Sequence, residues 1–580
     1  MYQAEIMLLK QWLKVRPKSC ALAIVSAALA IGFSAGSVQA APPQLPGAVQ
    51  PGHERTLPQP APPPNFDFSV EAPQRSAVPR AVDEVHFKLS GIHIVGAMTI
   101  PADQFTPFYE GLIGKDVTLA NILDVADKIE KAYRDAGYLL VRAYVPPQHV
   151  RDGVFEINVV EGFVSATAVQ GGDAVTQDRI KGYLRPVLNE KPLRLTTIER
   201  ALLLSNDMPG VSATGVLRPS PSTPGASELV VTVAQPSVTG GLAANNRGSH
   251  LSGIWTVTGN AAYNSIFGDD QLAASITAAP DSLKQIGGQL HYSIAVGDDG
   301  LIASMLAAYT HGHSNFSGID LKTNSWAVGP RLSYPLIRTR EQTLSFDGGL
   351  TVQDAKSLFF GTNQLTHDKW RVVDLGVTYS NSNVFDAGGQ WTGTLDLAQG
   401  IPGFGATPDH STDLSRLGGT TSFTKITGVA RFVQPVFAPV SVAFAAQGQY
   451  SFNPLITGEQ ILFGGTQIGR GYDPGAITGD QGLGGSAEIR FDQRIPDWSI
   501  QDLQPYAFVD AARTWYIQRG AAFDPSLKNQ SIVSVGGGLR FWLPYNLYFD
   551  VEGARMLDSV PGSNDGKRET KVLADLSVSF

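Results

Sequence analysis

The chain is poor in the residues that carry redox, metal and nucleotide chemistry. It has one cysteine among 580 residues, Cys20, inside an N-terminal segment that reads as removable. Cleavage after Ala40 would leave no thiol, which excludes disulfides, cysteine metal ligands and thiolate catalysis from the mature protein. Charge is also scarce: 17% of residues are Asp, Glu, Lys or Arg, and a net charge of −8 offers no basic face for nucleic acid. The glycine-rich GGTQIGRG (Gly464 to Gly471) is not followed by Lys-Ser/Thr and does not lie between a strand and a helix, so it is no phosphate-binding loop. His311 and His313 flank a glycine and read as solvated side chains of a surface loop rather than metal ligands. No catalytic residue, metal site or cofactor is expected. Beyond residue 40 no apolar run is long enough for a membrane helix, so a membrane-spanning form would have to be a closed barrel.

What is present begins with a targeting signal. Lys10, Lys14, Arg16 and Lys18 precede an apolar stretch, Ala21 to Phe33, and a small-residue site, Val38-Gln39-Ala40. Residues 1–40 thus read as a secretory signal peptide whose apolar stretch is too short to span a bilayer. Its loss removes more positive than negative charge, leaving a more acidic mature chain. Residues 41–83 hold eleven of the 37 prolines and few large apolar side chains. That is the composition of an extended linker, because proline blocks helix interiors and withholds backbone donors.

Residues 84–162 read as a small α+β unit. Val85, Phe87 and Leu89 alternate, Ile92 and Ile94 continue a strand, and a short helix is expected around Gln104 to Leu112. Thr118 can cap a second helix whose Leu119, Ile122, Val125, Ala126, Ile129 and Tyr133 recur at helical spacing until Gly137 stops it. Strands at Leu139 to Val145 and Val154 to Val160 complete a β-α-α-β-β order. Residues 163–236 repeat it, with strands near Phe163 to Val169, Ser212 to Leu217 and Glu228 to Ala234 around two helices. Each unit would present a sheet edge able to accept another strand.

From residue 237 to Phe580 helical periodicity disappears. Short alternating runs rich in glycine and aromatics are split by turn-like clusters, and about sixteen can be placed, as expected for an even-stranded outer-membrane barrel. The final KVLADLSVSF is the clearest: Val572, Ala574, Leu576, Val578 and Phe580 alternate with Asp575, Ser577 and Ser579. Its apolar face is expected to meet lipid, with Phe580 in an interfacial aromatic girdle.

A long connection of about residues 453–485 follows the eleventh run and is the sixth on its side of the barrel. It is dense in glycine yet carries Ile461, Leu462, Phe463, Ile468 and Tyr472, apolar side chains of little use to a solvated loop. It is expected to fold back into the barrel. In the strand that follows, Phe508 and Asp510 share one face; if Ala507 and Val509 meet lipid, Asp510 faces the lumen and needs hydration or a partner. Arg470 on the re-entrant loop is the natural partner.

At these residues the chain resembles the two-partner secretion translocators, the ShlB/FhaC/HecB-type haemolysin secretion and activation proteins. GYLLVRAYVPPQ (Gly137 to Gln148), FEINVVEG (Phe155 to Gly162) and GVLRPS…ELVVTV resemble the family's two POTRA domains. IGRGY (Ile468 to Tyr472) resembles its loop motif, and FVDAA (Phe508 to Ala512) its barrel motif Phe-x-Asp-x-Gly, with Ala512 in place of glycine. The resemblance implies a sixteen-stranded transmembrane β-barrel preceded by two periplasmic α+β POTRA domains, in the bacterial outer membrane. It further implies a pore-loop motif at Gly469, Arg470, Gly471 and Tyr472, a barrel-wall partner motif at Phe508, Asp510 and Ala512, and POTRA recognition through Tyr138, Tyr144, Pro146, Pro147 and Gln148. The implied partner is a large secreted protein with an N-terminal secretion domain, exported unfolded and without ATP by a monomeric barrel in outer-membrane lipid. A barrel-assembly insertase of the same superfamily is the alternative, though such insertases usually carry more POTRA units. Many members plug the pore with an N-terminal helix; the proline-rich Ala41 to Val82 segment is a poor helix former.

Overall fold

A computed structural model describes residues 67–70, 86–150, 152–223, 225–280, 284–316, 319–360, 363–495, 501–518, 529–560 and 567–580. The signal peptide, Val85 and all of the proline-rich segment except Asp67–Val70 lie outside the described residues. In the first α+β unit, α1 (Leu119–Asp135) starts at a capping box between Thr118 and Asn121. Its Ile122, Val125, Ala126, Ile129 and Tyr133 are buried against Phe155, Ile157 and Val159 of the strand Val154–Val160. Each such aliphatic side chain contributes roughly 1.5–3 kcal/mol by leaving water. The central strand runs parallel to Gly91–Val95 and antiparallel to Arg142–Tyr144.

Two sequence expectations change here. The helix expected around Gln104 to Leu112 is instead a pair of 3₁₀ turns, Ala102–Phe108 and Glu110–Leu112. Pro107 removes an amide from the first and Gly111 adds no helical preference to the second. The strand expected from Leu139 shortens to Arg142–Tyr144 because Leu139 and Leu140 form a turn and the ladder to the central strand begins only at Arg142.

The second unit packs α2 (Ala174–Asn189) and α3 (Leu195–Asp207) on a four-stranded sheet. Its order is Asp67–Val70, Ser212–Pro219, Ala226–Ala234, Phe163–Gly171. The sheet edge expected to be open is therefore covered by the chain itself. Asp67–Val70, from the stretch read as linker, runs parallel to Thr214 through Leu217 and packs Phe68 against the core.

The remainder is a closed antiparallel barrel of sixteen strands. They are β1 (Val238–Asn245), β2 (Thr256–Asn264), β3 (Asp270–Ala278), β4 (Gln285–Val296), β5 (Leu301–Phe316), β6 (Ile319–Arg338), β7 (Gln342–Phe359) and β8 (Asn363–Val384). Then follow β9 (Gly389–Gly400), β10 (Thr424–Phe437), β11 (Val440–Ser451), β12 (Gln481–Phe491, continued by Gln493–Arg494), β13 (Asp502–Trp515), β14 (Gln530–Leu543), β15 (Leu547–Met556) and β16 (Thr570–Ser579). β16 closes on β1 through five residue pairs, Gly241 to Asn245 with Asp575 to Ser579. Leu242, Leu290, Leu332, Leu375, Leu395, Leu483, Val509 and Leu576 stand exposed on the outer wall, an apolar band suited to hydrocarbon. His311 and His313 lie on β5 rather than in a loop, His311 on Asn324 and His313 on Asp320. No helix among the described residues is long and apolar enough to cross a membrane.

The second unit is clamped to one end of the barrel. Arg179 and Thr176 of α2 bond Asp269 and the Gly268 carbonyl in the connection after β2, and Arg185 pairs with Asp298 after β4. On α3, Asp207 takes a bidentate bond from Arg338, and Glu199 pairs with Arg340 after β6. Connections after even strands thus lie at the domain end, and those after odd strands at the distal end.

Candidate functional site

Residues 452–480, between β11 and β12, turn back into the barrel; β12 begins at Gln481, earlier than the glycine-rich run to 485 suggests. Within the loop Ile461–Phe463 pairs with Ile477–Gly479. Ile461, Phe463, Ile468, Tyr472 and Ile477 then bury themselves with Ala512, Ile532 and Met556 of the wall. This dry contact is the physical use of apolar residues in a loop so rich in glycine.

The tip is built for close approach. Gly469 has φ +88°, and a Cβ there would stand 2.6 Å from Ile532. At Gly471 a Cβ would meet backbone atoms of Arg555 and Met556 at 3.1 Å. With both glycines bare, the backbone amides of Gly469 and Arg470 reach the Asp510 carboxylate at 3.1 and 3.0 Å. The Arg470 guanidinium bonds the same carboxylate through Nε at 3.1 Å and Nη2 at 3.0 Å. It also donates to Glu488 at 3.0 Å, Glu552 at 3.2 Å and Ser486 at 3.1 Å. Its plane lies 3.3 Å from the centre of the Phe508 ring. Asp510 is 0% exposed and Arg470 6%, so these are charge-assisted bonds with little competing water. Tyr472 donates its hydroxyl to the Val533 and Asp558 carbonyls, fixing the turn after the tip.

The strand-face argument and the short motifs bring Arg470, Asp510 and Phe508 into view. Sequence reasoning missed the charges around them. Glu488 also takes bonds from Arg540 and Arg490, and Tyr506 bonds both Asp550 and Glu552. Glu552 is shared with Arg247, just beyond β1, which also holds Asp575 of β16 at 2.6 Å. Single charges on alternating strands carry no spacing signal; only Tyr506, two positions before Phe508 on the same face, could have been picked out. Farther along the loop Asp473 meets Lys571 and His250, and His250, Asp473 and Glu569 place ligand-type atoms within 4.8 Å of one another.

Ala512, where the resembled motif has glycine, pairs with Gly484 beneath Phe463, so the bare position here lies on the neighbouring strand. The expected recognition residues of the first unit are scattered. Tyr144 is 47% exposed on an edge strand and Pro147 is exposed. Tyr138 is buried against Tyr133, with the Arg194 guanidinium of the second unit over its ring. Gln148 is engaged as well, its side-chain amide accepting from the Glu156 N–H and donating to the Glu156 carbonyl. Pro146 is half-buried beside it.

At the base of this unit Glu161 receives the Met98 and Thr99 amides and the Thr99 and Tyr133 hydroxyls. Burial pushes its carboxyl up, but the hydrogen bonds outweigh it and hold Glu161 below the usual carboxylate range. Burial and the Glu161 charge push the Tyr133 hydroxyl in the opposite direction, upward.

The sequence pattern of the haemolysin secretion/activation protein ShlB/FhaC/HecB matches residues 225–541, and that of the ShlB-type POTRA domain residues 87–162. The heme/hemopexin transporter protein HuxB of Haemophilus influenzae (strain 86-028NP) is 23% identical over 575 residues, 94% of this chain and 97% of the relative. The outer membrane transporter CdiB of Escherichia coli is 25% identical over 419 residues, 68% of this chain and 67% of the relative. Among solved structures, CdiB from Escherichia coli superposes with a TM-score of 0.65 at 20% identity, covering 88% of this chain and 93% of that one. BamA from Haemophilus ducreyi lacking POTRA domains 1–3 reaches 0.51 at 13% identity, covering 85% and 100%. Both structural likenesses concern the fold. A family pattern that spans more than half of the chain, with the matching POTRA domain ahead of a closed sixteen-stranded barrel, decides the assignment: the chain belongs to the ShlB/FhaC/HecB family of haemolysin secretion/activation proteins, outer-membrane transporters of two-partner secretion with their POTRA region in the periplasm.

Proposed function

We propose that this protein exports one dedicated, large secreted partner, taken up unfolded by the periplasmic α+β units through the partner's N-terminal secretion domain and passed outward through the lumen without ATP. It works as a monomeric barrel in outer-membrane lipid, with no catalytic residue, cofactor, metal or nucleic acid. The observation that carries this reading is the asymmetry of the lumen. The loop tip is held by β12 to β15, so the route for a polypeptide is the opposite wall. There the inward positions of β7 to β9 carry Thr343, Ser345, Thr378, Ser380, Thr392 and Thr394. Hydroxyls bonded to one another across strands, such as Thr378 with Thr394, offer a passing chain hydrogen-bonding groups that exchange partners readily. Capture would use strand addition at a sheet edge, with main-chain hydrogen bonds giving affinity for an extended segment of any sequence. On the second unit such a segment must displace Asp67–Val70 or use the Phe163–Gly171 edge.

The barrel-insertase reading finds support in the BamA likeness, but the sequence relatives are named as transporters. Deleting the gene separates the two. Export predicts one large protein trapped in the periplasm while other outer-membrane barrels assemble normally. Broad loss of outer-membrane barrels would favour the insertase.

A further inference from the structure

The connection between β9 and β10, residues 401–423, is extracellular and turns inward, on the side that the re-entrant loop leaves open. Its first half lies along the overhanging end of β8, the Ile401 and Thr407 amides bonding the Arg371 and Lys369 carbonyls. Its second half is wedged in the lumen. Leu414 and Phe423 are buried with Trp370 and Val372 of β8 and Ala398 of β9, and with Leu455 and Ile456 of the re-entrant loop. Thr420 bridges Leu455, and the Thr457 amide bonds the Ser415 hydroxyl at 3.0 Å. The hydroxyl-lined wall therefore ends, on the outside, in a wedge between two loops.

One buried ion pair fastens the wedge. Arg416 is 5% exposed and pairs through Nη1 with Asp480, which is 0% exposed at the last residue before β12. Arg416 also donates to the Leu455 carbonyl at 3.3 Å and the Ile517 carbonyl at 2.9 Å. Asp480 accepts from the Leu455 amide at 2.9 Å and the Ile517 amide at 2.7 Å. The pair thus ties together the inner limb of the 401–423 loop, both limbs of the re-entrant loop and the chain leaving β13. It shares no residue with the Arg470 cluster.

We propose that Arg416 and Asp480 are the gate residues of the extracellular exit. Their pairing keeps the wedge seated, and a chain leaving along β7 to β9 must part them. A charge pair suits this use better than an apolar plug. Closed, each charge is satisfied by the other; open, each is satisfied by water, so both states are tolerable and only the half-broken state is costly. The gate rests on the export reading above, but its first test needs no partner.

Purified full-length Arg416→Ala and Asp480→Asn, reconstituted in planar lipid bilayers, should each show a several-fold rise in open-channel events. Arg416→Lys, which keeps a cation beside Asp480 and the two carbonyls, should stay near the closed wild-type trace, which loss of packing alone would not explain. A second arm does not depend on those variants folding. With Cys20 replaced by serine, Ser415→Cys with Thr457→Cys places thiols on the two loops where they touch. Oxidation should arrest export and reductant should restore it. Wild-type channel activity in both Arg416→Ala and Asp480→Asn, or wild-type export by the oxidised pair, would overturn the gate. Failure of the reduced pair to export the protein trapped in the deletion strain would count against the export reading instead.

Discussion

Across one lumen, two stretches of wall carry opposite chemistry. On β12 to β16 the inward positions are Glu488, Asp510, Glu552 and Asp575, matched by Arg470, Arg540 and Arg247. On β7 to β9 they include Thr343, Ser345, Thr378, Ser380, Thr392 and Thr394, beside the carboxylates Asp347, Asp374 and Asp396, of which Asp374 is answered by Arg331. The first set holds a loop in one place, because each charge is satisfied only in that geometry. Below the wedge that Trp370, Val372 and Ala398 hold at its outer end, the second is suited to a passing chain, because a hydroxyl exchanges one hydrogen-bond partner for another at little cost. A transporter for unfolded protein needs both: a fixed element that narrows the pore and a surface along which unrelated side chains can slide.

The largest expected effect comes from breaking the anchored side. Arg470→Ala takes the shared cation from Asp510, Glu488 and Glu552, and Asp510→Ala takes from the loop tip the carboxylate that holds the guanidinium and two amides; losing one member of a buried pair in a dry site costs about 3–5 kcal/mol. Water in the lumen offsets part of this, so the loop should detach while heat-modifiable barrel still accumulates. Secretion should fall sharply in each variant, and the double variant should be less than additive because both remove one contact. Wild-type secretion by both single variants would remove the anchor from the comparison.

Giving the sliding side something to hold should have the next largest effect. Thr378→Leu with Thr394→Leu replaces a hydroxyl pair 3.2 Å apart by an apolar patch. Barrel stability should change by no more than about 1 kcal/mol, the scale of ordinary substitutions. Export should nevertheless slow several-fold, measured as the secreted fraction in a pulse-chase. Unchanged export kinetics would mean that the route does not touch this wall.

Ala512→Gly is a smaller test of the anchored side. Ala512 packs under Phe463 opposite Gly484, and glycine within a strand costs about 0.5–1 kcal/mol. The temperature at which the barrel loses its compact gel mobility should drop slightly, with secretion close to wild type.

The smallest effect lies outside the membrane, where the same device works in water. Glu161 gathers the Met98 and Thr99 amides as Asp510 gathers those of Gly469 and Arg470. Its folded-state carboxyl lies below the ordinary value of 4.5, so it contributes its full stabilisation at neutral pH. That contribution is lost as pH falls from the ordinary range through the lower folded value. Hydrogen exchange at Met98 and Thr99 in the full-length protein should show protection that weakens over this window and is already absent in Glu161→Ala.

How much of this was legible in the sequence follows from the range of the interactions. Alternation over Val572 to Phe580 reveals a strand because a period of two is written in neighbouring residues. The glycines around Arg470 are likewise local. The 3₁₀ turns at Ala102–Phe108 and Glu110–Leu112 escaped because apolar spacing alone does not register what Pro107 and Gly111 withhold from a helix. Strand Asp67–Val70 escaped because four residues amid prolines carry no pattern until a sheet edge is offered to them. Arg247, Glu552, Arg416 and Asp480 meet only through the closure of the barrel, and such long-range charge pairs leave no trace in spacing.

The asymmetry of the lumen is tested most directly by cross-linking a partner caught in transit. A photo-reactive side chain is placed at Thr378 or Thr394 on the sliding wall, or at Thr514 on the anchored wall, and the partner is stalled by a folded domain fused to its C terminus. The expected result is partner adducts from Thr378 and Thr394, with Thr514 reaching only the re-entrant loop. Partner adducts from Thr514 and none from Thr378 or Thr394 would contradict it.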